Sequence, residues 1–102
     1  MSDHNYVLEL SEEAYDDLLN IQNYTFDHYG EDGWNKYGFD LDNAMQHIQN
    51  HPFSGHARKD IPSAYQAWSV KEHVMIYRIE EETVYLVRVL HSKMDFRFQF
   101  KT

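Results

Sequence analysis

The sequence RVLHSKMD, residues 88–95, closes the segment that decides the fold of this chain. It continues the β-prone residues 83–87, and together they predict a long apolar strand from Thr83 to His91. Core packing would accept many apolar strands here, but it does not require a histidine followed four residues later by an aspartate. His91 and Asp95 therefore need an explanation in addition to packing.

Three shorter β-prone segments accompany this strand. Residues 65–70 and 74–80 precede it, and residues 6–10 form a short apolar segment near the start of the chain. The intervals at 71–73 and 81–82 are short enough to be hairpin turns, although they lack the usual Gly and Asn. The pattern predicts three late strands and one early strand.

Two amphipathic helices are predicted between the early strand and the late strands. Ser11 is a suitable N-cap, and helical spacing continues from it to Gly30, which suits the left-handed position after a helix. A second helix should begin near Asp32 and end before Pro52, because the residue preceding a proline avoids helical geometry. Its apolar residues recur at intervals of three and four, at Trp34, Tyr37, Leu41, Ala44 and Ile48.

The break between the helices is short, so they should pack antiparallel as a helical hairpin. The order β-α-α-β-β-β then predicts a two-layer α+β domain, in which the hairpin covers a mostly antiparallel sheet. At 102 residues we expect one domain, 1–102, with a core at 6–95 and a tail at 96–102. The alternating Phe residues of 96–100 predict either a further strand or an aromatic tail that needs a partner.

The composition excludes several kinds of site. The chain has no cysteine, so disulfides and thiolate metal sites are excluded. His47 and His51 have the spacing of a zinc-binding pair, but no third ligand accompanies them, and we expect no metal or cofactor. The polar N-terminus is not a signal peptide, and no apolar run approaches the roughly 18 residues of a membrane span. We therefore expect a soluble, cytoplasmic protein.

The charge is unevenly distributed along the chain. Residues 1–51 contain eleven acids and one base, whereas residues 52–102 contain eight bases and six acids. Nucleic-acid binding depends largely on Lys and Arg that neutralise phosphates, and the acidic helical half would repel a phosphate backbone. The distribution argues against direct binding to nucleic acid and favours a protein partner.

A set of residues spread along the chain keeps a distinctive order and spacing. The set comprises Tyr6 to Leu10, Tyr24, Gly30, Tyr37, Leu41, Pro52, Gly55, Arg58, Asp60, His73, Tyr77-Arg78 and Arg88 to Asp95. In these positions the chain resembles the ParE branch of the RelE/ParE toxin superfamily, the small toxins of bacterial toxin–antitoxin (plasmid-stabilisation) pairs. The resemblance extends over roughly residues 6–95 and implies the same order of strands and helices.

The resemblance also implies a function. It implies the toxin of a type II toxin–antitoxin module, which inhibits DNA gyrase by protein–protein binding and makes or breaks no bond itself. It further implies a cognate, ParD-like antitoxin that forms a hetero-oligomer with the toxin and silences it. The antitoxin segment would fold into a groove between the hairpin and the sheet, and the sheet edges could accept an added strand.

Two other functions remain open for this fold, because fold alone does not decide function. One is a RelE-like, ribosome-dependent mRNA interferase that would use Arg58, Arg78, Arg88 and His91. The Phe-rich tail offers no late Tyr or His for such an enzyme, which weakens this hypothesis. The other is a non-toxic interaction domain.

Eight residues are candidates for contact with a partner. They are Arg58, Trp68, Arg78, Arg88, His91, Lys93, Met94 and Asp95. Trp68 is either an interface anchor or a core residue. His91 either forms an acid/base pair with Asp95 or caps its strand and hydrogen-bonds the following loop.

Two roles are open for each of the two arginines in the strands. Arg78 and Arg88 either contact a partner or form ion pairs on the sheet surface. The available carboxylates are those of Glu80 and Glu82. Gln66 stands where ParE-like sequences commonly carry an arginine after the aromatic residue, and this departure predicts a changed contact with the target at this position.

Overall fold

A computed structural model of the protein describes residues 5–100. The elements are strand β1 (Val7–Leu10), helix α1 (Glu12–Asn50) and strands β2 (Gln66–Val70), β3 (His73–Glu80) and β4 (Thr83–His91). Two 3-10 turns lie outside the sheet, at Pro52–Ser54 and Phe96–Gln99. The predicted fold class, a helical layer on a mostly antiparallel sheet, is confirmed.

Helix α1 contains both predicted helices, which meet at a break in the backbone. Gly30 has φ 74° and ψ −172°, a conformation outside the helical region that glycine tolerates because it has no Cβ. A straight helix of this length would extend about 58 Å, whereas the longest dimension of the molecule is 39 Å. The chain therefore folds back at Gly30, and we refer to residues 12–29 as the first arm and to residues 31–50 as the second arm.

Ser11 is the N-cap of the first arm, as predicted. The Ser11 Oγ accepts a hydrogen bond from the Ala14 N–H at 2.9 Å and donates to the Val87 carbonyl at 2.6 Å. Glu12 and Glu13 lie in the first turn, where their charges stabilise the positive end of the helix dipole. One hydroxyl thus caps the helix and attaches it to β4.

The sheet has the strand order β1-β4-β3-β2. Strand β1 pairs parallel with β4, and the other two pairings are antiparallel. Two-residue turns join the late strands, and the first residue of each has positive φ, 52° at Lys71 and 55° at Glu81. His73 was predicted to lie in a turn, but it opens β3 and pairs with His91.

The core lies on both faces of the sheet. Between the hairpin and the sheet, one cluster contains Ala14, Ile21, Leu41, Ala44, Ile48, Val70, Met75, Tyr77, Val84, Leu86 and Val89. The opposite face carries a second cluster of Ile61, Ala67, Val74, Ile76, Leu90 and Phe96. Phe96 is fully buried and begins a 3-10 turn, so the tail is not the further strand that its alternating Phe residues suggested.

Ser11 and the first arm of α1 complete the edge of β4 where β1 ends. The Ser11 N–H donates to the Leu86 carbonyl at 3.0 Å, and the next carbonyl, of Val87, accepts from the Ser11 hydroxyl. The Val89 N–H then donates to the Asp17 carboxylate at 2.9 Å. Buried backbone groups need such partners, and here the helix supplies them in place of a strand.

Asp17 also holds Arg88 in a two-point ion pair. The guanidinium donates from Nε at 2.8 Å and from Nη2 at 3.0 Å, and the Asp17 side chain is only 15% exposed. The predicted pairing of Arg88 with Glu80 or Glu82 is therefore wrong. Arg78 does pair with Glu80, at 3.1 Å. The difference arises because Arg88 lies at the β4 edge that faces the helix.

The packing of Leu41 provides a test of the predicted helical register. Leu41 is 2% exposed in the cluster beneath the hairpin, so Leu41→Ala should lower the free energy of unfolding by about 2–5 kcal/mol. Chemical denaturation would measure the loss. The control is Phe39→Ala, at a position 66% exposed on the same arm, which should change stability by less than about 0.5 kcal/mol. Equal stability of the two variants would contradict the burial of Leu41.

The Asp17 contacts provide a second test. Asp17→Asn should lower the free energy of unfolding by about 1.5–3 kcal/mol, because the guanidinium loses its carboxylate. Asp16→Asn removes the same charge at the neighbouring exposed position and should leave stability nearly unchanged. Urea titrations would measure the free energy of unfolding of both variants. A decrease of similar size in each would indicate a general effect of charge instead of the contacts of Asp17.

Candidate functional site

A groove of about 560 Å³ opens between the two arms of α1 and the end of the sheet where β3 begins and β4 ends. The helical side is lined mainly by Ile21, Tyr24, Thr25, Tyr29 and Tyr37, and the sheet side by His73, Val89, His91 and Met94. Both arms contribute because the break at Gly30 turns them towards each other. Apolar and aromatic side chains predominate, as is usual in pockets that bind another molecule.

A half-buried tyrosine, Tyr37, and His73 form one wall of the groove. The Tyr37 hydroxyl donates to the Val70 carbonyl at 3.1 Å and shares a short hydrogen bond with His73 Nδ1. Burial raises the pKa of Tyr37 to about 12, and the nearby Glu72 carboxylate adds to the rise. Tyr37 therefore stays uncharged at physiological pH and fixes the position of the His73 ring.

A second histidine lies next to this pair. The His73 and His91 rings are perpendicular, with centroids 5.2 Å apart. Burial lowers the pKa of His73 below its ordinary value, and proximity to His91 lowers it further. Glu72 lies 3.6 Å from His91 Nε2. At neutral pH His73 thus presents an uncharged ring, which suits contact with apolar side chains.

The rim of the groove carries both signs of charge. Lys71 forms an ion pair with Asp40 at 2.9 Å across the opening between the sheet and the second arm. Lys36 and Asp17 also line the groove. A partner segment would therefore meet an apolar interior with charged groups around it, the usual arrangement of protein interfaces.

The structure brings two of the eight candidate residues into this groove, His91 and Met94. His91 caps its strand: its Nδ1 accepts from the Lys93 N–H at 3.2 Å, and its carbonyl accepts from the Met94 N–H at 3.0 Å. Asp95 turns away and pairs with Arg97 at 3.0 Å. Of the two hypotheses for His91, the structure supports the strand cap rather than an acid/base pair with Asp95.

Arg58 lies outside the groove, on the opposite face of the sheet. Its guanidinium donates to both oxygens of Asp60, at 2.8 Å and 2.7 Å. The same group lies 4.3 Å from the centre of the Phe96 ring, within the range of a cation–π contact. Arg58 therefore attaches the connector before β2 to the start of the tail.

Two other candidates are also engaged within the domain. Arg78 pairs with Glu80 and lies 4.4 Å from the centre of the Tyr85 ring. Trp68 is half-buried against the cluster beneath the hairpin and stacks on His47, with centroids 4.2 Å apart. Packing against the helix is thus the role that the structure gives Trp68.

Part of the sequence pattern has a structural explanation at the end of the second arm. The buried Tyr77 hydroxyl donates to the Pro52 carbonyl at 2.7 Å and lies 3.2 Å from Gln66 Oε1. A Cβ at Gly55 would collide with this hydroxyl. Gln66 therefore lies against the interior, which explains why an uncharged side chain is suitable there.

The helical histidines serve the fold as well. His47 Nε2 is 3.0 Å from Ser54 Oγ, and its ring lies on Trp68. Within residues 5–100, no group of three or more His, Cys, Asp or Glu side chains is placed to hold a metal ion. Nor does that part of the chain contain a helix long and apolar enough to cross a membrane.

Sequence reasoning did not assign site roles to Asp17, Tyr29 or Lys36. Tyr24, Tyr37 and His73 were noted as parts of the family pattern and of the predicted helices and turn, but not as site residues. The available signal was helical spacing: Tyr24 follows Ile21 by three residues, and such residues share one side of a helix. The tertiary partner of Asp17 had no local signal, because Arg88 is 71 residues away.

Comparison with known proteins connects this geometry to a family. Residues 8–96 match the family model described as the ParE toxin of the type II toxin–antitoxin system parDE. Toxin ParE1 of Mycobacterium tuberculosis is 34% identical over 91 residues, which cover 88% of this chain and 91% of the relative.

Solved structures share the fold at lower sequence identity. The chromosomal ParDE toxin–antitoxin system of P. aeruginosa superposes with a TM-score of 0.75 at 15% identity, covering 87% of this chain and 98% of that one. The E. coli DinJ–YafQ toxin–antitoxin complex gives 0.62 at 14% identity, with coverage of 85% and 92%.

The burial of His73 predicts a pH dependence of stability. Because its pKa lies below the ordinary 6.5, the unfolded chain binds a proton more readily than the folded chain. The free energy of unfolding should therefore fall as the pH decreases from 6.5 towards the pKa of folded His73. Replacement by Gln should remove this part of the decrease.

Urea unfolding at about pH 7.5 and about pH 5.5 would measure this decrease in the free energy of unfolding. His51→Gln, at an exposed position, is the matched control and should keep the wild-type difference between the two pH values. If His73→Gln keeps the wild-type difference between the two pH values too, His73 does not gain a proton on unfolding.

Proposed function

This chain belongs to the ParE toxin family of type II toxin–antitoxin systems, and from that membership we propose that it inhibits DNA gyrase through protein–protein contacts. We further propose that a cognate antitoxin, encoded beside it, neutralises it by binding in the groove. The toxin itself makes and breaks no covalent bond. The groove between the hairpin and the sheet is the observation that carries this proposal.

The shape and lining of the groove support an antitoxin segment as its occupant. Tyr24 and Met94 are 58% and 42% exposed at its mouth, although both side chains are largely apolar. A disordered segment that folds on binding would bury such anchors, and anchors of this kind usually dominate affinity. Two structural relatives are described as toxin–antitoxin systems or complexes, which supports a partner of this class.

Charge supports a basic antitoxin segment where it crosses the hairpin. The first half of the chain carries eleven acids and one base. Lys or Arg on the segment would raise the association rate by long-range attraction. Exposed charges are screened beyond roughly 8–10 Å near physiological ionic strength, so association should slow as salt increases.

The arginine contacts favour protein binding over RNA cleavage. An mRNA interferase of the RelE type would need Arg58, Arg78 and Arg88 to hold phosphates. Each of the three guanidiniums already has a carboxylate within 3.1 Å: that of Asp60, Glu80 or Asp17. A phosphate would have to displace these carboxylates. The interferase therefore remains the second candidate, and a non-toxic interaction domain the third.

The proposal predicts two activities that purified components can separate. The chain should inhibit supercoiling of relaxed plasmid by gyrase and leave ribosome-bound message intact. Cleavage of message, abolished by Arg78→Ala together with Arg88→Ala, would establish the interferase instead. If neither activity appears, the interaction domain is supported.

Groove variants test neutralisation in the same system. Expression of the chain should stop growth, and co-expression of the adjacent antitoxin should restore it. Tyr24→Asp together with Met94→Asp should reduce antitoxin affinity by about tenfold or more, because it places charges where the apolar anchors lie. Phe39→Asp, an exposed aromatic position outside the groove, should bind antitoxin like wild type.

A further inference from the structure

We propose that the first arm of α1 carries a second docking surface, which binds an amphipathic helix whose apolar face is bordered by Lys or Arg. This surface, the outer stripe, consists of Tyr15, Leu19, Gln22 and Phe26. Tyr15, Leu19 and Phe26 are 57%, 41% and 50% exposed. The proposal concerns a different surface from the groove and does not depend on gyrase being the target.

Helical geometry places the outer stripe on one continuous face. Its residues are separated by four, three and four positions, so they lie within about 60° around the axis. The buried residues Ala14, Ile21 and Thr25 are each one position before a stripe residue and lie about 100° away from it. The stripe thus borders the core without being covered by it.

Most of the groove lies on the other side of the same arm, and only its lining residue Tyr29, next to the break at Gly30, is within about 60° of Gln22 and Phe26. Tyr24, at its mouth, is two positions from both Gln22 and Phe26 and points about 160–200° away from them. An occupant of the groove therefore need not cover Phe26. The two surfaces can be occupied at the same time, which distinguishes the outer stripe from a continuation of the groove.

The length and boundary of the stripe fit a short helix. From Tyr15 to Phe26 it extends about 17 Å, or roughly three helical turns. Leu10 and Tyr15 line a shallow depression at the start of the arm, and Leu10, at the end of β1, is 37% exposed. Leu10 therefore extends the apolar surface by one further side chain.

Charge identifies the chemistry of the occupant. Glu12, Asp16 and Asp27 follow the stripe on its solvent side, about 60–120° around the helix from Tyr15. Among residues 5–100, none of these three carboxylates forms an ion pair. A second copy of this chain would bring the same acids together and be repelled. A partner with Lys or Arg beside its apolar residues would be attracted.

A synthetic peptide can test this chemistry directly. The probe is a helical peptide of about 18 residues with Leu at helical spacing and Lys on both sides of the Leu face. The control peptide has Glu in place of every Lys. Titration into the ¹⁵N-labelled full chain should shift the amide resonances of residues 15–27 and leave those of Tyr37, His73 and His91 unchanged. The Glu peptide should bind about tenfold more weakly or not at all.

Variants then test the stripe itself. Leu19→Ser and Phe26→Ser should each weaken binding of the Lys peptide by about tenfold. Phe39→Ser, an exposed Phe on the second arm, is the matched control and should bind like wild type. Asp16→Asn with Asp27→Asn should weaken binding at low salt, and added salt should reduce that difference.

Three outcomes would overturn the proposal. The first is a set of shifts centred on the groove, and the second is equal weakening by Phe39→Ser and Phe26→Ser. The third is a dimer of the free chain in sedimentation velocity that Phe26→Ser converts to monomer, because the occupant would then be a second copy. Variants with wild-type melting temperatures ensure that lost binding does not reflect unfolding.

Discussion

The contacts of the Asp17 carboxylate connect the two layers of this domain. Strand β1 is too short to pair with the whole of β4, so the backbone of β4 beyond Leu86 needs other hydrogen-bond partners. Asp17 accepts from both the Val89 N–H and the Arg88 guanidinium, and it does so from the first arm of α1. These bonds fix the helix relative to the sheet edge. Because Asp17 also lines the groove, the same contacts set the width of the proposed binding site.

Local patterns were sufficient for most of the fold. Helical periodicity from Trp34 to Ile48, a cap at Ser11 and the break at Gly30 are each determined by a few neighbouring residues, and the structure has all three. The failures concern contacts between distant residues. Arg88 pairs with an aspartate 71 positions away, and Phe96 is buried in a cluster with residues from the connector and three strands. The alternating Phe residues of the tail suggested a strand. In the structure Phe96 begins a 3-10 turn and is buried in the second core cluster.

The sequence predicted the location of the candidate site better than it predicted the residues that line the site. The expectation of a groove between hairpin and sheet agrees with the cleft between the two arms and the ends of β3 and β4. Of the eight candidate residues, most have partners within the domain, as Arg58 has in Asp60 and Phe96. Several residues that carried the family resemblance therefore maintain the fold. Residues that maintain the fold identify the structural class, whereas exposed side chains decide which target the protein binds.

The parallel pairing of β1 with β4 has a consequence for how the protein is made. The Ser11 hydroxyl donates to the Val87 carbonyl 76 residues later in the chain. Strand β1 therefore cannot pair until β4 has been synthesised. Contacts between such distant residues form late and slow folding. Val89, His91 and Met94, which line one side of the groove, are synthesised after both arms of α1. The groove is therefore incomplete until residue 94 has been synthesised, and an antitoxin that binds there can recognise the chain only after that point.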